Sequence, residues 1–187
     1  MDIKSTLMGL TFALIWSSAF TSAHIIVQVA PPLSISALRF LLAGLVAIFI
    51  AYVLGERASF TRKQWYGIII FGICQNAIYL GLFFMAMTRI EASLASILAS
   101  SMPLLVAFSL VTVFSEKLSK IGIIGLIIGF SGVTLIMSSR LTSGVDFVGV
   151  LQCTIGVIAL TIATLSVKSA STGGNLFMVV GLSLIHI

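Results

Sequence analysis

The chain has 187 residues, 59% of them hydrophobic and 8% charged, with a net charge of +5 and a mean hydropathy of +1.24. A soluble domain carries about 25% charged residues, so this composition excludes a water-soluble globular protein, and the solvent around most of the chain is the lipid bilayer. In such a chain an excess of Lys and Arg reports topology, not affinity for nucleic acid. Cys74 and Cys153 both fall in apolar runs and form no metal or redox spacing, so neither a disulfide nor a zinc centre is expected. A Gly-x-x-x-x-Gly-Lys-Ser/Thr phosphate loop is absent, which excludes nucleotide hydrolysis by that route. No cofactor is expected.

The first span is predicted over residues 7–27. Only Lys4 precedes it as a basic residue, and no small-x-small cleavage pattern follows, so a retained helix is expected rather than a cleaved signal. Ala30-Pro31-Pro32 ends it, because proline lacks the amide and fixes the backbone. The second span covers residues 34–54, with Arg39 about 7 Å inside its start at ~1.5 Å per residue. A polar segment with Glu56, Arg57, Arg62 and Lys63 leads to the third span, 65–87, and residues 88–91 make a tight turn. Two further spans form a hairpin around the charged turn 115–120, the first reaching Phe114 and the second covering 121–137. A polar linker is expected over 138–146, then a sixth span over 147–167, a small-residue loop over 168–175, and a seventh apolar run from Leu176. An all-α polytopic bundle follows from this series.

Charge distribution orients it. With the N-terminus inside and spans alternating, Lys4, Arg57, Arg62, Lys63, Lys117, Lys120 and Lys168 are inside. Only Arg89 and Arg140 are outside, and Arg39 lies within a span, which accounts for all ten Lys and Arg. The reverse orientation violates the positive-inside rule. Five spans precede the linker, so a second copy of the unit starts from the opposite side and is inverted, as in many secondary transporters. The short loops and the absence of a targeting segment point to a bacterial inner membrane.

Polar groups within spans need a protein partner or a wet cavity. Gln75, Asn76 and Tyr79 lie at i, i+1 and i+4, on one or neighbouring faces. They either line a substrate cavity or form interhelical hydrogen bonds. Ser93, Ser96 and Ser100 form one stripe, suited to close helix approach. Pro103 frees carbonyls one turn earlier, next to Ser100 and Ser101, and such points line binding sites. Gly122, Gly125, Gly129 and Gly132 make a ridge expected to pack on another helix. Arg39 either snorkels to the outer headgroups or serves a site. His24 reads as interfacial. Trp16 is deeper than a belt tryptophan, and with Phe20 it forms an apolar cavity wall or core. No Asp or Glu falls inside a span, which argues against proton exchange through a mid-membrane carboxylate.

These residues resemble the EamA-type family of the drug/metabolite transporter superfamily. Trp16-Ser17-Ser18-Ala19-Phe20 is similar to the family's Trp-Gly-x-x-Phe stretch, with serine for glycine, and Leu38-Arg39-Phe40 to its Arg-Phe signature. Ala92-Ser93-Leu94-Ala95-Ser96-Ile97-Leu98, Pro103, Glu116-Lys117-Leu118 and the glycines from Gly125 to Gly132 fall in the family's order. The resemblance implies ten helices in two inverted five-span units. Residues 1–137 are then the first repeat, 138–146 the outside linker and 147–187 a truncated second repeat.

It further implies a non-enzymatic, ATP-independent permease that moves a small metabolite, amino acid or drug, outward in many members, by alternating access. Trp16, Phe20, Arg39, Gln75, Asn76, Tyr79, Ser100 and Pro103 are the cavity candidates. The expected partners are the lipid bilayer, the small-molecule substrate and the missing second-repeat helices, from the same gene or a second chain. One alternative is a non-transporting helical subunit that needs a partner chain. Another is an intramembrane enzyme on a lipid carrier, for which His24 and His186 are the only histidines.

Overall fold

A computed structural model describes residues 3–56, 59–142, 144–170 and 176–185. Among the described residues six helices are long and apolar enough to cross a bilayer, whose hydrocarbon core is about 30 Å thick. They are α1 (Ile3–Val27), α2 (Pro32–Val53), α3 (Arg62–Ala86), α4 (Ala92–Thr112), α5 (Lys120–Thr142) and α6 (Phe147–Ala170). A seventh, α7 (Leu176–Ile185), has 10 residues. Among the described residues there is no strand. The protein is an all-α polytopic membrane protein. Residues 171–175, Arg57 and His186, all invoked above, lie outside the described residues.

Local chemistry sets the boundaries. Pro32 opens α2, where its missing amide would have had no partner anyway. α2 ends at Gly55, whose φ of 76° lets the amide of Glu56 turn back to the Ala51 carbonyl at 2.9 Å, a Schellman closure. Thr61 and Gln64 form a reciprocal capping box at the start of α3. α4 breaks its regular bonding at Ser101, just before Pro103. There the Ser100 and Ser101 hydroxyls donate to the carbonyls of Ile97 and Leu98 at 2.7 and 2.6 Å. α5 runs on to Thr142, so the first residues of the expected polar linker, from Ser138, are helical. Serine and arginine propagate a helix well enough once it is nucleated. Asp146 then caps α6, accepting from the Gly149 amide at 3.0 Å.

α6 lies at the centre. Half of its span is buried, against none of α5. Phe20, Phe83, Leu94, Leu98, Val157 and Leu160 form one core that joins α1, α3, α4 and α6. Gly156 admits the Phe83 ring, since a Cβ there would stand 2.9 Å from it. α5 is peripheral and packs on α4 through Phe108 and Phe130, whose rings are 6.3 Å apart. Of the expected glycine ridge, only Gly129 meets another helix, at Leu104. Gly125 and Gly132 face open space, and Gly122 meets only Leu118 and Ser119.

The close helix contact is elsewhere. α7 lies on α2 with Gly44 against Gly181. A Cβ on Gly181 would stand 2.6 Å from Ile48 Cγ1 and 3.0 Å from its backbone nitrogen. Between lipid-solvated helices the hydrophobic effect supplies no attraction, so van der Waals approach of this kind supplies much of it. The carboxylate of Glu56 closes the joint, accepting from the amides of Phe177 at 3.4 Å and Met178 at 2.8 Å.

Two outcomes follow for stability. Gly181→Ala is expected to destabilise the protein in detergent by about 1–3 kcal/mol, because backbone atoms block the new methyl. Gly132→Ala is expected to be neutral or stabilising by up to ~1 kcal/mol. Thermal unfolding of both variants checks this, and equal effects would mean that α7 does not dock on α2. The Gly149 amide, followed by Arg89 at 3.2 Å, holds the Asp146 carboxyl below its ordinary range. A depressed carboxylate contributes fully above its unfolded value and loses that contribution as pH falls through the folded one. Wild type should therefore lose more stability than Asp146→Asn as pH drops below about 4. Parallel unfolding curves would exclude the ion pair as a contributor.

Candidate functional site

α1, α2 and α3 enclose a cleft of about 260 Å³. Its wall is a continuous run of aromatic rings. On α1, Phe12, Trp16 and Phe20 follow at i, i+4 and i+8, with centroids 5.5 and 6.4 Å apart. Phe20 meets Phe83 of α3 edge-on at 6.2 Å, and Phe83 meets Tyr79 at 4.6 Å. Spacings of 4.5–7 Å with tilted or edge-on rings are those that aromatic quadrupoles favour. Phe20, Tyr79 and Phe83 are buried, while Trp16 stays 39% exposed and closes only part of the opening.

α3 delivers its residues through an irregularity. Over Gly72–Leu80 the helix takes π geometry, whose i→i+5 bonding widens the turn and is frequent at functional sites. Gln75 and Tyr79 line the cleft. Asn76 is buried on another face, and its Nδ2 donates to the Ser183 carbonyl of α7 at 3.0 Å. On that side Gly72 also lies against Ser183, whose carbonyl oxygen would be 2.7 Å from a Cβ. Of the two roles open to this polar group, Asn76 is placed for the interhelical bond, while Gln75 and Tyr79 are placed at the cavity.

Arg39 lines the cleft from α2. Its guanidinium carbon stands 5.7 Å from the Phe40 ring centroid, within cation–π range. Among the described residues no carboxylate reaches it. Asp146 pairs with Arg89, Glu56 caps α7, and Glu91 accepts from Ser93. His24 is fixed above the cleft by a 3.1 Å contact between Nδ1 and the Met87 carbonyl.

Five of the eight residues singled out from sequence thus meet in one cleft: Trp16, Phe20, Arg39, Gln75 and Tyr79. Asn76 does not line it, and neither do Ser100 and Pro103, which are exposed on α4. Sequence reasoning missed Phe12, Phe40 and Phe83. The i+4 spacing of Phe12 to Trp16 and of Tyr79 to Phe83 was the available signal. Among the described residues no group of three or more His, Cys, Asp or Glu is placed to hold a metal ion.

Comparison with known proteins adds the family. The model of the EamA-like transporter family matches residues 3–138. An uncharacterised transporter of Synechocystis is 25% identical over 138 residues, which cover 72% of this chain and 41% of the relative. One of Archaeoglobus fulgidus is 28% identical over 156 residues, covering 82% and 54%. One of Buchnera aphidicola is 26% identical over 167 residues, covering 88% and 53%. The chain therefore spans about half the length of these relatives. No solved structure matches it. With six apolar helices and a family match over most of its length, the chain belongs to the EamA-like transporter family.

Proposed function

We propose that the protein is a secondary permease of a bacterial inner membrane that binds a small metabolite, amino acid or drug in the aromatic cleft. The observation that carries this reading is the cleft itself. It is concave, largely apolar, and carries two convergent polar groups, Arg39 and Gln75, as small-molecule sites do. No covalent chemistry is part of the reading. Outward movement and an N-terminus inside belong to it on the family resemblance and the charge distribution.

Alternating access gives the cleft a working cycle, one helix group rocking against another around a central site. Second-repeat helices, from the same gene or a partner chain, would close the side on which Trp16 is still 39% exposed. The Glu56 cap and the Asn76–Ser183 bond sit where α7 meets α2 and α3, and that joint would close one end of the path.

The test is flux in proteoliposomes holding the protein with any helices its gene supplies. A panel of small metabolites, amino acids and drugs is screened without ATP. For a transported compound, Trp16→Ala is expected to cut kcat/KM roughly tenfold, the value of one lost ring contact of about 1.4 kcal/mol. Pro103→Ala, away from the cleft, should leave it within about twofold if its strain-free replacement stays folded. Flux that responds to Pro103 and not to Trp16 would move the site to α4.

A further inference from the structure

The cleft pairs two features. One is a wall of rings from Phe12 through Trp16 and Phe20 to Tyr79. The other is a guanidinium with no carboxylate partner among the described residues. Arg39 lies seven residues along α2 from Pro32, which at ~1.5 Å per residue is about 10 Å inside the helix start. A charge at that depth is expensive and is kept where it meets a counter-charge or water. Arginine suits planar, bidentate recognition of a carboxylate. Among the described acidic residues, none lies within a membrane span; Glu56, Glu91, Glu116 and Asp146 fall in turns or at helix ends. An ammonium group in the cleft would have only ring faces and the Gln75 amide to meet.

We infer that the cleft selects a small organic monoanion, a carboxylate on an aromatic or branched apolar body, with the carboxylate on Arg39 and the body against Trp16, Phe20 and Tyr79. The inference rests on the cleft being the substrate site. Gln75 supplies a second hydrogen bond to the carboxylate or to a substituent beside it. The same geometry disfavours a zwitterion, whose ammonium group finds no carboxylate there and has only ring faces and the Gln75 amide oxygen to offset its loss of water. Apolar neutral compounds of the same shape keep the ring contacts and lose the charge-assisted bonds.

The test uses the full chain in phosphatidylcholine nanodiscs. Trp65→Phe is introduced so that Trp16 is the only tryptophan reporting. The probes are 3-phenylpropionate, its neutral amide and phenylalanine. The acid is expected to shift Trp16 emission saturably, with the amide and the zwitterion about 10–100-fold weaker. Arg39→Gln should remove that preference, bringing acid binding down to the level of the amide, and Arg39→Lys should restore part of it. Equal binding of acid and amide, or a preference that survives Arg39→Gln, overturns the monoanion assignment while the cleft stands as a binding site. Absence of saturable binding by any probe overturns the substrate class, and the flux response to Trp16→Ala then decides the cleft reading separately. Phosphatidylglycerol added to the nanodiscs covers one more outcome. If it abolishes acid binding in wild type, Arg39 anchors a lipid phosphate and the inference falls.

Discussion

Inside the hydrocarbon no water is present to satisfy a polar group, and the rest of this structure depends on that constraint. Many of the hydroxyls within spans turn back on their own helix. Ser18, Ser22, Thr154 and Thr161 donate to carbonyls three or four residues earlier, at 2.8–2.9 Å. The break in α4 is handled in the same way by Ser100 and Ser101. Asn76 has an amide too large for that solution and reaches across to α7. Arg39 has no such internal solution among the described residues, and it faces the cleft. The polar atoms that remain for a solute are those the helices do not consume.

Close approach comes from small residues at crossings far apart in sequence. Gly44 meets Gly181, Gly72 meets Ser183, Gly149 meets Ile90 and Arg89 in the turn after α3, and Gly156 meets Phe83 and Tyr79 of α3. α6 and α7, which follow the polar linker, are thereby built into the helices that precede it. The segment lying outermost is α5, whose span from Lys120 to Arg140 has no buried residue. Chain order and spatial order differ, and the cleft sits where early helices converge under the clamp of α7.

The spans were legible because each is a long apolar run bounded by prolines, glycines or charges. Pro31-Pro32, Glu56 and the charged turn after Phe114 marked the ends correctly. The α5 boundary was not, since Ser138 to Thr142 is polar in sequence yet continues the helix. Which face of a span is buried was harder to read. Lipid-facing and core-facing side chains are both apolar, so the usual contrast between faces is weak. Gly129 could not be told from Gly125 and Gly132, although only Gly129 touches another helix. The cleft was visible through its exceptions, a deep tryptophan and a charge within a span. Phe12 and Phe83 could not be separated from the other phenylalanines without knowing which faces converge. Nor could adjacent Gln75 and Asn76 be assigned to different neighbours before the π segment was seen.

The docking of α7 also carries a cost in time. Asn76 finds its partner 107 residues further along the chain, and Glu56 waits for an amide 122 residues away. At 5–20 residues per second of synthesis, that is a delay of roughly 5–25 seconds. During it α2 and α3 sit in the bilayer with a glycine groove and an unpaired amide facing lipid. A groove of that kind is tolerable, because lipid chains can occupy it, though less closely than a helix, but the lone amide invites the wrong neighbour. Assembly of this bundle therefore depends on what stands beside α3 before its proper partner has left the ribosome.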